Sequence, residues 1–241
     1  MWIYMVTVLL VSFKWAGYDV RIEQAPDQFS AIVSFYKNDS LVKSFPTDGG
    51  YDFDKDFYTE DLDGDSVPEL IVEVYTGGAH CCYEYVIFTS KPKLQYVGTL
   101  NTGMSSPDIE NGEIICGYDF NYFDNLPVET TPPGIIMVYG VKKGKIVDIT
   151  TKEHRLQSMD ADLEELKKLI KKKSDYNEIK SYAASYYAEA LQIGKEKEAY
   201  ETLLKIDPKL AQWVKKYRND LIPPENKNII PDVESNEEYE Y

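Results

Sequence analysis

Histidine and cysteine are scarce in this 241-residue chain, with two of the first and three of the second. That scarcity narrows transition-metal and thiol chemistry to one grouping, His80, Cys81, Cys82 and Cys116, because His154 stands far along the sequence. Positive charge is also short: 26 Lys and Arg face 41 Asp and Glu, a formal net charge of −15. Such a field repels phosphate backbones and anionic lipid surfaces, which excludes nucleic acid as an expected partner. Beyond residue 13 no apolar run is long enough to predict a membrane span, so no transmembrane domain is expected after signal removal. Nucleophile elbow, Walker loop and dinucleotide fingerprint are all missing. Gly77-Gly78 lacks the following helix and lysine of a phosphate loop, and no spacing among the many acids singles out a glycosidase pair.

What the chain does have is an acidic loop at residues 61–69, Asp-Leu-Asp-Gly-Asp-Ser-Val-Pro-Glu. Three carboxylates on alternate positions, with a fourth acid four residues later, suit a short loop that wraps one hard cation. Ca²⁺ takes about six to eight oxygen ligands, drawn from carboxylates, backbone carbonyls and water. The expected ligands are Asp61, Asp63, Asp65, the carbonyl of Val67, and Glu69, with Gly64 supplying a positive φ for the turn. An EF-hand wants Gly at its sixth position and Glu at its twelfth. Ser66 and Val72 stand there instead, and an aliphatic strand follows in place of a helix. The bland reading is an acidic surface turn, but three crowded carboxylates repel one another without a cation.

Residues 1–13 are almost wholly apolar and predict a signal-peptide core within residues 1–17, with a buried first strand as the competing reading. Export predicts oxidation of two cysteines. One of Cys81 and Cys82 would pair with Cys116 on a neighbouring strand; alternatives are a vicinal bridge between the two or a His80–thiolate metal site. His80 alone reads as a hydrogen-bonded structural residue.

Residues 18–153 read as an all-β domain: runs of β-branched and aromatic residues at 31–36, 41–45, 70–75, 83–88, 94–98, 113–116, 135–139 and 145–149. Regular spacing without helices between them indicates an antiparallel sandwich, a meander or a partial propeller. Residues 158–224 read as a helical bundle, with a helix start at the acids 160–165, a second helix over 177–193 closed by Gly194, a third over 196–206, and a fourth ending at Pro223. Residues 225–241 are acidic and poor in aliphatics, which predicts a disordered tail. The fold class expected is α+β.

Asp61, Asp63, Asp65 and Glu69, followed by Leu70-Ile71-Val72, resemble the calcium loops of FG-GAP (integrin-α-type) and VCBS β repeats. The resemblance implies Ca²⁺ as a structural cofactor. Gly77-Gly-Ala-His-Cys-Cys82 after such a loop also resembles a group of exported bacterial proteins, without implying an activity. Residues 194–208 resemble the turn and second helix of a tetratricopeptide repeat. The expected role is an exported, calcium-stabilised binding module at the periplasm or cell surface, with a protein or glycan partner. The competing expectation is a thiol-redox or transition-metal enzyme built on the His-Cys-Cys segment.

Overall fold

Two hairpin turns in left-handed backbone organise the first sheet. Ala16-Gly17 joins β1 (Leu9–Trp15) to β2 (Tyr18–Gln24), and Asn38-Asp39 joins β3 (Ala31–Lys37) to β4 (Ser40–Pro46); φ is positive at all four residues. Paired positive φ values match the strand twist, and Gly, Asn and Asp are the residues that tolerate them. The computed structural model describes residues 9–25, 30–47, 57–76, 83–103, 106–120, 123–126, 133–224 and 228–230. Strands β1 to β4 form an antiparallel meander in sequence order.

The second sheet has the order β13-β8-β7-β6-β5, from β5 (Phe57–Glu60), β6 (Glu69–Tyr75), β7 (Tyr83–Thr89), β8 (Gln95–Gly103) and β13 (Ile229–Ile230). Alternation along each strand sends one set of side chains to each face. Val20, Ile22, Val33 and Phe35 of the first sheet pack with Leu70, Val72, Val74, Val86 and Phe88 of the second into one apolar core. Phe35 and Phe88 meet edge-on with centroids 5.2 Å apart. Full burial of each such side chain contributes about 1.5–3 kcal/mol. The third sheet has the order β12-β11-β10-β9, from β9 (Asp108–Glu110), β10 (Glu113–Asp119), β11 (Gly134–Lys142) and β12 (Lys145–Asp148). Asn111-Gly112 and Lys143-Gly144 turn its two hairpins in the same left-handed conformation.

Four helices follow: α1 (Lys152–Lys172), α2 (Tyr176–Gln192), α3 (Glu196–Ile206) and α4 (Pro208–Lys216). The chain is thus α+β, three antiparallel sheets and then helices. Helix α1 begins at Lys152, well before the acids at 160–165. Thr151 caps it: the His154 N–H donates to Thr151 Oγ1, and the Thr151 N–H donates to His154 Nδ1, both at 3.2 Å. This reciprocal cap satisfies two otherwise orphaned donors and gives His154 a structural role. Contacts divide the chain into two units. One holds Met1–Ile114, Gly140–Val147 and Asn228–Tyr241, and the other Ile115–Tyr139 and Asp148–Lys227.

Three sequence expectations change. Residues 9–15, read as part of a signal-peptide core, form β1, and Trp15 is 5% exposed in the core with its indole N–H on the Pro68 carbonyl at 2.9 Å. The competing strand reading is the one these residues follow, since period and length alone do not separate a short apolar run of either kind. Within the expected acidic tail, Ile229 and Ile230 pair with Leu100 and Thr99 of β8. The expected disulfide rested on neighbouring strands, yet β7, which follows Cys82, and β10, which carries Cys116, belong to different sheets. Cys116 is a buried thiol, and no disulfide occurs among the described residues. His80, Cys81 and Cys82 lie outside the described residues.

Candidate functional site

The acidic loop connects β5 to β6, in the first unit, and its two ends are in register as the pair Glu60 and Glu69. Its backbone is wound around Asp61. That carboxylate accepts the N–H groups of Gly64 (2.9 Å), Asp65 (3.1 Å) and Ser66 (2.9 Å). Asp63 accepts the Asp65 N–H at 3.0 Å, and Asp65 accepts the Val67 N–H at 2.8 Å. Gly64 has the expected positive φ, and Ser66 shares it at 67°, a conformation costly for a residue with a Cβ. Anchors hold the loop on its inner side. Leu62 is buried at 5% exposure, its carbonyl takes the Val141 N–H, and the Gly112 N–H donates to Glu60.

The winding brings ligand oxygens of Asp61, Asp63 and Asp65 within 4.8 Å of one another. Glu69 stands apart from that trio, at the mouth of β6. Its Oε2 accepts the Leu62 N–H at 2.8 Å, while its Oε1 is buried and accepts no hydrogen bond from the described residues. Thr89 is adjacent, but its hydroxyl donates to the Lys91 carbonyl at 3.2 Å. Burial pushes the Glu69 carboxyl up despite the Leu62 N–H, and the negative charges of Asp63 and Asp65 push it further. The Lys91 ammonium partly neutralises the loop, at 3.1 Å from Asp65 Oδ2 and 3.0 Å from the Asp65 carbonyl. Nothing local in the sequence placed Lys91 there.

A second polar feature of this unit escaped the sequence reading. Glu73, 1% exposed on β6, accepts the Tyr85 hydroxyl at 3.0 Å and the Tyr58 hydroxyl at 3.4 Å. Burial and the Glu73 charge push the Tyr85 phenol up, so it remains a donor. The signal was present as a lone acid inside an aliphatic strand, Glu-Leu-Ile-Val-Glu-Val-Tyr.

The second unit holds a buried ion pair. Arg155 of α1 and Glu189 of α2 meet at 2.8 Å, with side-chain exposures of 8% and 0%. Glu189 also accepts the Ile136 N–H, and Arg155 donates to the Ile136 carbonyl at 3.0 Å. Beside them is a cavity of about 320 Å³ lined by Cys116, Ser158, Asp162, Ser181, Tyr182 and Ser185, among others. Burial, and then the Glu189 charge, push the Asp162 carboxyl from 3.8 up to about 8. The folded chain therefore holds a proton on Asp162 between about pH 4 and 8 that the unfolded chain has lost. That contribution to stability is complete below pH 4 and is lost as pH rises through 8. Asp162→Asn is expected to leave the melting temperature unchanged at pH 4 and to raise it at pH 8, as read by circular dichroism; an equal effect at both would refute the assignment.

An aromatic cluster occupies another part of the same unit. Phe123, Trp213 and Tyr217 contact one another edge-on, with centroids 5.4 to 5.8 Å apart. Asp124, at φ 45°, accepts the Trp213 indole N–H at 2.6 Å and lies 3.6 Å from the Lys180 ammonium. Burial opposes its charge, but the Tyr217 and Trp213 hydrogen bonds and Lys180 outweigh that and hold the carboxyl low.

No family model matches the chain. A probable thylakoid lumen protein of Synechocystis is 28% identical over 174 residues, covering 64% of this chain and 48% of its own length. The chain thus spans about half the length of that curated relative. Two solved structures overlap 38% of the chain, each at a TM-score of 0.32. One is Aeromonas hydrophila PliI in complex with Meretrix lusoria lysozyme, 25% identical, with 83% of it covered. The other is PliI-Ah, a periplasmic lysozyme inhibitor of I-type lysozyme, 23% identical, with 87% covered. FG-GAP, VCBS and tetratricopeptide resemblances do not hold: no family model matches, and the curated relative is named for the thylakoid lumen, not for such repeats. The fold differs as well: the loop joins β5 to β6 of a five-stranded sheet, where a propeller blade has four strands.

Proposed function

We propose that the chain is an exported binding module without catalytic activity, which takes a protein partner outside the cytoplasm. In this reading its acidic loop is stiffened by one Ca²⁺. The observation that carries the cation is the loop itself: ligand oxygens of three Asp gathered within 4.8 Å, with a buried Glu69 oxygen at the loop's end that accepts no hydrogen bond from the described residues. A divalent ion would offset the burial, and the lesser Asp63 and Asp65 charges, that push Glu69 up, and would displace the Lys91 ammonium from Asp65. Asp61, Asp63, Asp65 and the Val67 carbonyl would supply ligands; Glu69 would join them by a rotation of its side chain or through a water. Export has the support of the Synechocystis relative, named for the thylakoid lumen.

Two measurements test this. Ca²⁺ at a hundredfold excess over Kd is expected to stabilise the chain by about 2.7 kcal/mol, a rise of roughly 5–10 °C in melting temperature. Asp63→Ala should abolish that rise at little cost without calcium, because the Asp63 side chain is exposed. Asp61→Ala should instead destabilise with or without the ion, by about 1–3 kcal/mol, since it removes the acceptor of three backbone N–H groups. A melting curve indifferent to Ca²⁺ and to chelator sinks the cation. Recovery of the tagged full-length protein in the cytoplasmic fraction sinks the export.

A further inference from the structure

The aromatic cluster of the second unit borders a cavity of about 470 Å³ whose chemistry has no part in the reading above. Its described lining is Tyr118, Asp119, Phe120, Phe123, Asp124, Tyr217 and Asp220, four aromatic rings and three carboxylates with no Lys, Arg or His. All seven belong to that unit. Tyr118 and Phe120 pack edge-on at 5.3 Å, and Phe123 and Tyr217 at 5.5 Å.

The three carboxylates are not equivalent. Asp124 is satisfied by Trp213 and Lys180. Asp220 is exposed. Asp119 is half-buried, and among the described residues its carboxylate meets neither a hydrogen-bond donor nor a cation. Gly134 makes the space for it: a Cβ there would stand 3.0 Å from Asp119 Oδ1 and 3.1 Å from the Tyr118 carbonyl. A half-buried carboxylate that lines an aromatic-walled cavity, with no counter-ion among the described residues, is an incomplete electrostatic arrangement. The missing element is a positive charge soft enough to lie on ring faces. The cluster already attracts such charges, with the Lys180 ammonium 4.8 Å from the Trp213 ring centroid and that of Lys216 4.5 Å from Tyr217.

We propose that this cavity binds an organic cation, an alkylammonium or alkylguanidinium group, with Asp119 as its counter-ion and Tyr118, Phe120 and Phe123 as its ring walls. Both groups combine a delocalised or weakly hydrated charge with an apolar stem, and rings attract cations through their quadrupole when the site is partly desolvated. A hydrated metal ion fits less well, because these three carboxylates do not gather their oxygens into one ligand set as Asp61, Asp63 and Asp65 do. The cation could arrive as a free amine or as the Lys or Arg side chain of a protein. Burial pushes the Asp119 carboxyl up to about 6, so binding should be full above pH 7 and weaken as the pH falls below 6. Asp124, Asp220, Tyr118 and Tyr217 are the other titratable groups facing it, with Lys180 and Lys216 behind the rings.

The test is calorimetric titration of the full chain with n-butylguanidinium chloride, and separately with the capped tripeptide Gly-Arg-Gly, at constant ionic strength. Saturable one-to-one binding of either probe is expected, and the preferred probe identifies the source of the cation. Asp119→Asn should weaken binding about tenfold or more while melting no lower than the parent chain. A drop to pH 5 should weaken it by about tenfold as Asp119 protonates. Tyr118→Leu should weaken it several-fold, and Lys216→Ala should strengthen it by removing a competing charge. The Asp119 side-chain carboxyl resonance should titrate at lower pH when the guanidinium probe is bound. Absence of saturable binding to both probes, or binding unchanged in Asp119→Asn, would overturn the proposal.

Discussion

Arg155→Met is expected to destabilise the second unit by about 3–5 kcal/mol. The substitution keeps the stem length but removes the guanidinium, which leaves Glu189 with no counter-ion at 0% side-chain exposure. Isolated buried charge is the costly outcome, far costlier than the pair is worth when intact. Burial already pushes the Glu189 carboxyl up, and the Ile136 N–H and Arg155 oppose it. Without Arg155 the carboxyl would be pushed further up, and the Ile136 carbonyl would lose a charged donor. The double change Arg155→Met with Glu189→Leu should recover a large part of the loss, since apolar replacements of similar volume often match a buried ion pair. Guanidinium denaturation of the three variants checks this. A loss below about 1 kcal/mol in Arg155→Met would mean that water reaches the pair in solution.

Phe35→Ala should cost a similar amount in the first unit, about 3–5 kcal/mol. Phe35 is 0% exposed and central to the core, with the rings of Trp15, Tyr18, Phe45 and Phe88 at centroid distances of 5.2 to 6.1 Å. Removing it takes apolar area from both sheets and leaves a cavity that rigid strands cannot close. Leu41, 57% exposed on β4, provides the control: Leu41→Ala should stay within about 0.5 kcal/mol. Equal melting temperatures for the two variants would show that the sheets do not pack as described.

Much of the β framework was legible because its signals are local. Lys-Asn-Asp-Ser between two β-rich runs declared the β3–β4 turn, and Lys-Lys-Gly the turn from β11 to β12. Helices α2 to α4 were readable from Gly194 and from the Asp207-Pro208 cap, whose carboxylate takes the Lys209 N–H at 2.8 Å. The start of α1 was hidden, since the acids at 160–165 mimic a helix N-terminus while the true cap is a single threonine. The three Asp of the acidic loop lie close together, a proximity that alternation in a tight turn makes readable. The pairing of Glu69 with the Leu62 N–H is set by strand register, which no spacing rule encodes. The cavity at Asp119 had no sequence signal at all. It draws on β10, on the turn at Phe123–Asn125 and on the turn at Arg218–Leu221, segments that only the tertiary fold collects. Arg155 and Glu189 are likewise a product of two helices meeting, and each alone reads as a solvated charge.

The short strand β13 has a consequence for how the protein is made. It is translated after every other described strand, yet it is the one that covers the outer edge of β8. Until Ile229 and Ile230 arrive, β8 presents backbone donors and acceptors to any passing strand, an invitation to intermolecular pairing. The nascent chain therefore carries an unguarded edge through most of its synthesis, during which a holding chaperone would be most useful. A truncation just before Asn228 would make that vulnerable interval permanent, and its first symptom would be aggregation during expression, ahead of any loss of binding.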